Sequence, residues 1–153
     1  MASTAPSRLL EQQHRRIDRG IQGVVDGTGE LPALAEALAL LQLHIYAEEQ
    51  ILFPLLEQAR LTMPVFVMRR EHGQMWPLLD GLSAQCRSAA RAQTLRGACA
   101  ELLQSLQMHN PKEELILYTT ADRLAAEAAD DALSQRLQAA RMPPGWTCAM
   151  APR

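Results

Sequence analysis

The sequence has little of what strands and membrane spans are built from. Aromatic residues are 4% of its 153 residues, and Val, Ile, Thr and Tyr do not recur at alternating positions as they would in strands. The most apolar stretch, residues 31–43, is interrupted by Pro32 and Glu36, so we expect no membrane-spanning helix. The first seven residues are polar and do not resemble a secretory signal. These features favour an all-α fold.

Cysteine pairs and a charge excess are also missing. The three cysteines, Cys86, Cys99 and Cys148, form no CxxC pair, which argues against a disulfide framework and favours a reducing, cytoplasmic location. The net charge of −2 and the pI of about 6.1 do not indicate a nucleic acid or an anionic membrane as partner. We expect a monomer or a homodimer with neither of those partners.

Helix-favouring residues dominate what is present. Apolar residues recur at steps of three and four, as one buried helix face requires. This pattern predicts four long helices and one shorter helix, over residues 7–25, 31–60, 63–89, 92–126 and 129–142, with Ser7 as the first N-cap. Since short connections make neighbouring helices antiparallel, we predict one domain over residues 1–153. It is an up-down-up-down four-helix bundle over residues 7–126, with a short C-terminal helix and tail over residues 129–153.

Three prolines, Pro54, Pro77 and Pro111, fall inside the predicted helices. Each lacks an amide hydrogen, so each should kink or locally distort its helix. Pro111 lies between His109 and Glu113, where a distortion would affect the direction of both side chains.

The chain contains an internal repeat. Residues 44–53 and 109–118 both read H-x3-E-E-x-I-L-aromatic, and each copy is preceded by a helix with one lone histidine, His14 or His72. The sequence therefore predicts two helical hairpins with matching chemistry. Such a pair suggests a site on a pseudo-two-fold axis between the hairpins.

Polar side chains occupy positions where a bundle core normally takes Leu, Ile or Val. A buried carboxylate is costly unless it is paired or bound to a metal. A step of four residues places a histidine and a glutamate on one helix face. The core positions concerned are all four histidines and two glutamates: His14, His44, Glu48, His72, His109 and Glu113.

A pair of cations would stabilise this set. Imidazole with carboxylate suits iron, manganese or zinc, and no cysteine is present in the motif to favour structural zinc. A lone core histidine is more often a hydrogen-bonded structural residue, and a single H-x3-E step is common by chance. Here the step occurs twice within a repeat. We favour iron, because bridging carboxylates with histidines would leave coordination positions open for a small ligand.

These segments resemble the hemerythrin-like, or HHE cation-binding, family over residues 8–125. The resemblance implies a non-haem di-iron centre of two iron ions, oxo- or hydroxo-bridged when oxidised. It implies that His14 and His44 bind one iron, that His72 and His109 bind the other, and that Glu48 and Glu113 bridge them. The segments that carry it are Gln13-His14, His44-x3-Glu48-Glu49 with Phe53-Pro54, Glu71-His72, and His109-x3-Glu113-Glu114 with Tyr118.

The chain departs from the oxygen-carrying hemerythrins at Trp76, where they have a further histidine. Without that histidine the second iron gains an open position. The set of four histidines and two glutamates is similar to that of di-iron proteins implicated in the repair of iron–sulfur centres after nitrosative or oxidative stress.

Three functions are compatible with these residues, and whether the protein is an enzyme is left open. In the first, the site binds or reacts with oxygen, nitric oxide or peroxide in stress response or sensing. In the second, it donates iron or electrons for repair of iron–sulfur centres, with an electron donor or an iron–sulfur protein as partner. In the third, the protein is a structural zinc-bound bundle.

Other residues near the motif receive weaker assignments. Asp18 and Asp80 are candidate acceptors for the ligand imidazoles, although solvated positions fit them better. Glu49 and Glu114 are expected on an outer face or in a salt bridge, and Cys86 and Cys99 are expected to be inert thiols. The candidate pocket walls, for which core packing is the alternative, are Ile45, Phe53, Met75, Trp76 and Tyr118.

Overall fold

The computed structural model describes residues 4–88 and 91–153, and within these ranges its regular structure is helical. Four long rods form a bundle, which confirms the predicted fold class. The first rod contacts the second and the fourth, and the third rod also contacts both. The rods are α1 (Pro6–Asp26); α2 (Leu31–Ala47), a π segment (Glu48–Leu52) and α3 (Phe53–Gln58); α4 (Thr62–Arg87); and α5 (Arg96–Lys112), a second π segment (Glu113–Leu117) and α6 (Tyr118–Ala128). A 3₁₀ turn (Ala92–Leu95) precedes α5, and α7 (Ala132–Ala139) follows α6.

The first helix begins earlier than predicted. Ala5 is its N-cap in an extended conformation and Pro6 its first residue, a position that suits the fixed φ of proline. Ser7 is therefore not the N-cap that we predicted. Its backbone amide and its hydroxyl donate instead to the carboxylate of Asp122 in α6, over 2.9 and 2.6 Å. This contact joins the start of the first rod to the fourth.

Other boundaries also differ from the predictions. α4 ends at Arg87, and the predicted end of that helix, Ala89, lies outside the described residues. The last helix spans Ala132–Ala139 and is shorter than predicted. Ala129, its expected first residue, has a left-handed backbone (φ 55°) and ends α6. Its amide bonds to the last carbonyls of that helix, as is common at helix C-termini.

Both copies of the repeat form a π segment. The segments begin at Glu48 and Glu113, and the amide of the repeat's aromatic residue, Phe53 or Tyr118, donates to the carbonyl of that glutamate five residues earlier. Pro54 follows the first segment and Pro111 precedes the second, so an irregular segment lies beside each of these two prolines. α4 continues through Pro77. Short π segments inside α-helices are frequent at functional sites.

The core consists of two apolar clusters along the bundle axis. The upper cluster includes Leu10, Phe53, Leu56, Val65, Met68 and Leu117. The lower cluster includes Ile17, Leu38, Leu41, Leu79, Leu102 and Leu106. In each rod, one buried histidine lies between the residues of the upper cluster and those of the lower cluster. A polar layer thus crosses the inside of the bundle. Among the described residues, no helix is long and apolar enough to cross a membrane.

Candidate metal centre

The six histidines and glutamates singled out in the sequence lie together in this polar layer. Each rod contributes one histidine, and the glutamates are the first residues of the two π segments. All six are buried, with side chains at most 4% exposed: His14, His44, Glu48, His72, His109 and Glu113. Burial of this many titratable groups at one level of the bundle sets the layer apart from the apolar clusters above and below it.

The atoms facing each other across the centre are the histidine Nε2 atoms and the glutamate oxygens. Nε2 of His14 lies 3.1 Å from Nε2 of His44 and 3.3 Å from Oε1 of Glu113. On the other side, Nε2 of His109 lies 3.2 Å from the same Oε1, and Nε2 of His72 lies 3.5 Å from Oε1 of Glu48. Two groups could each hold a metal ion, with ligand atoms within 4.8 Å of one another: His14, His44 and Glu113; and His72, His109 and Glu113.

The opposite nitrogen of every histidine, Nδ1, is bonded to an acceptor on the preceding rod. The four bonds form a closed ring around the bundle, because the fourth rod supplies the acceptor for the first. The pairs are His44 with Gln13 (2.7 Å), His72 with Glu49 (3.0 Å), His109 with Glu71 (2.9 Å) and His14 with Glu114 (2.9 Å).

This ring determines which nitrogen each histidine presents to the centre. An imidazole that donates Nδ1–H to a carboxylate or an amide oxygen has its Nε2 lone pair free for a metal, and such partners orient metal-bound histidines. Glu49 and Glu114 therefore lie against histidines, at 3.0 and 2.9 Å from Nδ1. Of the two expectations for these residues, the salt bridge fits both, whereas the outer face does not fit the buried Glu49. Asp18 accepts no hydrogen bond at Oδ1 and Asp80 is exposed, so neither orients a histidine.

The two hairpins contribute equivalent residues with one chemical difference. The ring of Phe53 stacks on His72 at 5.6 Å between centroids, and Tyr118 stacks on His14 at the same distance. Only Tyr118 has a hydroxyl, and it donates to Oε2 of Glu48 over 2.8 Å. That hydroxyl also lies 3.1 Å from Nε2 of His14. The aromatic ring on the His14 side therefore brings a hydroxyl to the centre, and the ring on the His72 side does not.

The buried atoms of the centre fit a cation. Four of them have no hydrogen-bond partner among the described residues: Oε1 of Glu48, Oε2 of Glu113, and Nε2 of both His72 and His109. Unpaired buried polar atoms are rare and costly. All four are atoms that coordinate metals, and the donor set of imidazole and carboxylate is one that iron and zinc accept.

The charges in the layer favour positive partners for the carboxylates. Burial by itself lowers the pKa of His14, but the hydrogen bond and the charge of Glu113 outweigh this effect and raise it to about 9. Burial likewise opposes ionisation of Glu113, yet the neighbouring His109, His14 and His72 hold its pKa well below the usual value. The carboxylates therefore remain ionised. A metal cation that displaces the protons from the histidines could take over as their positive partner.

Comparison with known families agrees with this geometry. The family described as Hemerythrin HHE cation binding domain matches residues 5–121. The chain belongs to this family. Neither the curated proteins nor the solved structures give a significant match. Membership in the HHE family indicates cation binding, and the matched residues include the whole polar layer.

The sequence left several roles of this HHE centre unassigned. Gln13 and Glu71 each accept the Nδ1 bond of a histidine on the next rod. In the sequence each directly precedes another core histidine, and this pairing of an acceptor with a histidine was the signal for an orienting residue. Tyr118, expected as a pocket wall, also brings a hydroxyl into the centre. Trp76 is buried, and its ring meets that of Trp146 edge-on at 5.5 Å. The three cysteines are free, with Cys99 and Cys148 buried.

Proposed function

We propose that this HHE protein is a non-haem di-iron protein whose centre binds or reacts with a small ligand such as oxygen, nitric oxide or peroxide. The observation that carries the proposal is the ring of four Nδ1 bonds, which aims four Nε2 atoms at two buried glutamates. A structural histidine needs no such arrangement. We place the protein in oxidative or nitrosative stress response or sensing.

The proposed ligands follow the two groups of atoms. His14 and His44 hold one iron ion, His72 and His109 hold the other, and Glu113 lies within reach of both pairs. Glu48, which approaches His44 at 3.2 Å and His72 at 3.5 Å, is the second bridging carboxylate. Two iron ions held there would supply redox equivalents and open coordination positions for a small ligand.

The surrounding residues adapt the site to a small, uncharged ligand. Phe53 in the upper cluster is buried and stacks on His72, so water is excluded on that side. The Tyr118 hydroxyl lies on the His14 side and donates its one hydrogen to Glu48. Burial, with the charges of Glu113 and Glu48, raises the pKa of Tyr118 well above its usual value, so the phenol stays protonated, and a ligand that accepts its hydrogen would replace Glu48 as the acceptor.

Anaerobic loading with ferrous iron followed by titration with nitric oxide and with oxygen tests the proposal. We expect saturable binding of nitric oxide, with spectral changes that scale with the iron content. Iron that leaves the protein and reconstitutes an iron–sulfur protein, without stable ligand binding, would support iron donation instead. Tightly held zinc and no uptake of iron would contradict the di-iron assignment and support a structural bundle.

A further inference from the structure

The tail, residues 140–153, lies outside the region matched by the HHE family, yet it contacts a residue that orients one of the central histidines. The backbone amide of Ala149 donates to Oε2 of Glu49 over 3.0 Å. The other oxygen of Glu49 accepts the Nδ1 bond of His72, also over 3.0 Å. A chain of two hydrogen bonds therefore joins the tail to one of the four central histidines.

Glu49 depends on the tail in a way that the other three orienting groups do not. Gln13 is a neutral amide, Glu71 pairs with Lys112, and the side chain of Glu114 is 35% exposed to water. Glu49 is buried, and its hydrogen-bond partners among the described residues are His72 and Ala149. Since a buried carboxylate without donors is costly, the amide of Ala149 supplies what lysine or solvent supplies elsewhere.

The tail also packs closely against the bundle beside His72. The Trp146 ring meets Tyr46 and Trp76 edge-on, at 5.1 and 5.5 Å between centroids. A Cβ atom on Gly73 would lie 2.6 Å from the carbonyl carbon of Met150 and would overlap its oxygen. The close approach is therefore possible because residue 73 has no side chain, and residue 73 directly follows His72.

We propose that the tail is a strap that positions His72 through Glu49, so that its docking determines how firmly this half of the centre holds its ligands. Ala149 and Glu49 are positioning residues and do not themselves touch the metal. The equivalent histidine of the first hairpin, His14, is oriented by the partly exposed Glu114 and has no such strap. The expected effect on metal release rests on the proposed function. The positioning of His72 by the tail applies to the metal-free protein as well.

The variant Gly73→Ala tests the strap, and Gly81→Ala is its matched control. Both glycines lie inside α4, so both substitutions gain the same helix propensity. A Cβ atom on Gly81 meets nothing within 4 Å. A second variant, which ends at Pro144, removes the packed part of the tail without altering α4. Circular dichroism verifies that each variant stays helical.

Three readouts separate docking from its effect. The first is alkylation of the buried Cys148 by iodoacetamide, measured by peptide mass spectrometry. The second is protection of the His72 Nδ1 hydrogen in the metal-free protein, measured by nuclear magnetic resonance. The third is the rate at which a ferrous chelator extracts iron from the loaded protein.

We expect Gly73→Ala and the shortened chain to lose protection of the His72 hydrogen and to release iron about ten-fold faster, the lower end of the effect of losing an outer partner of a ligand. Gly73→Ala should also expose Cys148, and Gly81→Ala should match the wild type in all three readouts. Exposed Cys148 with unchanged His72 protection and iron release would overturn the strap. A protected Cys148 in Gly73→Ala would overturn the docked geometry. If the wild type binds no iron, the proposed function fails, and the first two readouts still decide whether the tail holds His72.

Discussion

The hydroxyl of Tyr118 donates a 2.8 Å hydrogen bond to Oε2 of Glu48, a residue of the opposite hairpin. At the equivalent place in the repeat, Phe53 stacks on His72 without a hydroxyl. The two halves of the centre thus share a backbone plan and an aromatic ring, but only one half has this bond between hairpins. The difference makes Tyr118 the natural position at which to test the arrangement.

Replacing Tyr118 with Phe should keep the packing, because Phe53 fills the equivalent position in the other half. It removes a donor to a buried carboxylate, and hydrogen bonds to charged groups contribute about 1.5–3 kcal/mol. We expect the free energy of unfolding of the metal-free protein to fall by about that amount in urea titrations. Tyr46→Phe is the control, since the Tyr46 hydroxyl bonds to no described residue. Equal losses in both variants would contradict the role of the Tyr118 bond.

Replacing Glu113 with Ala should abolish metal binding, because its carboxylate lies within reach of both histidine pairs. Glu48→Ala should have the same result if Glu48 also bridges. Metal content by mass spectrometry after ferrous loading measures both variants. Glu101→Ala on α5 and Glu36→Ala on α2 are controls, because both glutamates are exposed. Wild-type metal content in Glu48→Ala or Glu113→Ala would remove that residue from the proposed ligand set.

Removing the acceptor of a histidine should weaken metal binding without removing a ligand. Glu71 accepts the Nδ1 bond of His109, and outer partners of this kind are worth about 10–100-fold in metal affinity. We expect Glu71→Ala to lose affinity in this range and Glu71→Gln, which keeps an acceptor oxygen, to lose less. Competition with a chelator measures both. Glu57→Ala, which breaks an exposed ion pair with Arg69, should have wild-type affinity; equal losses in all three would contradict the ring.

The cysteines should react slowly and in a defined order. Burial, with a smaller effect of Cys86, raises the pKa of Cys99 to about 11, so about one Cys99 thiol in a thousand is ionised at pH 8. Because the thiolate is the reactive form, the labelling rate of Cys99 should rise with pH towards that pKa. We expect iodoacetamide to modify the partly exposed Cys86 first. Labelling of Cys99 at pH 8 as fast as Cys86 in folded protein would contradict this order.

The fold and the location of the polar layer could be predicted from the sequence because both depend on helical periodicity. His44 and Glu48, four residues apart, share a face in any helix, and the repeat placed a second such pair in the other hairpin. The structure brings these residues together, whereas their assignment as metal ligands stays a proposal. The informative signal was that these polar residues recur with the same spacing as the apolar core residues.

The ring of acceptors could not be predicted because it depends on contacts between rods. Glu49 is one residue beyond a core position and so points towards a neighbouring helix, where periodicity within its own rod says nothing about its partner. The structure shows that the partner is His72. Asp18 and Asp80 were candidates because they lie on the same rods as histidines, but the orienting groups come from adjacent rods.

The position of the tail could not be predicted from the sequence either. Residues 143–153 have no helical periodicity, and the contact of Gly73 with Met150 joins segments far apart in the chain. Ser7 was misassigned for a related reason. A serine near a helix start usually caps its own helix, but here its bonds go to Asp122 on another rod.

The most direct test of the di-iron assignment is the metal content of protein expressed in iron-supplemented medium, measured together with its near-ultraviolet spectrum. We expect about two irons per chain, one for each histidine pair, with charge-transfer absorption that Glu113→Ala loses and Glu101→Ala keeps. One tightly held zinc per chain, or no metal even after anaerobic loading with ferrous iron, would contradict it.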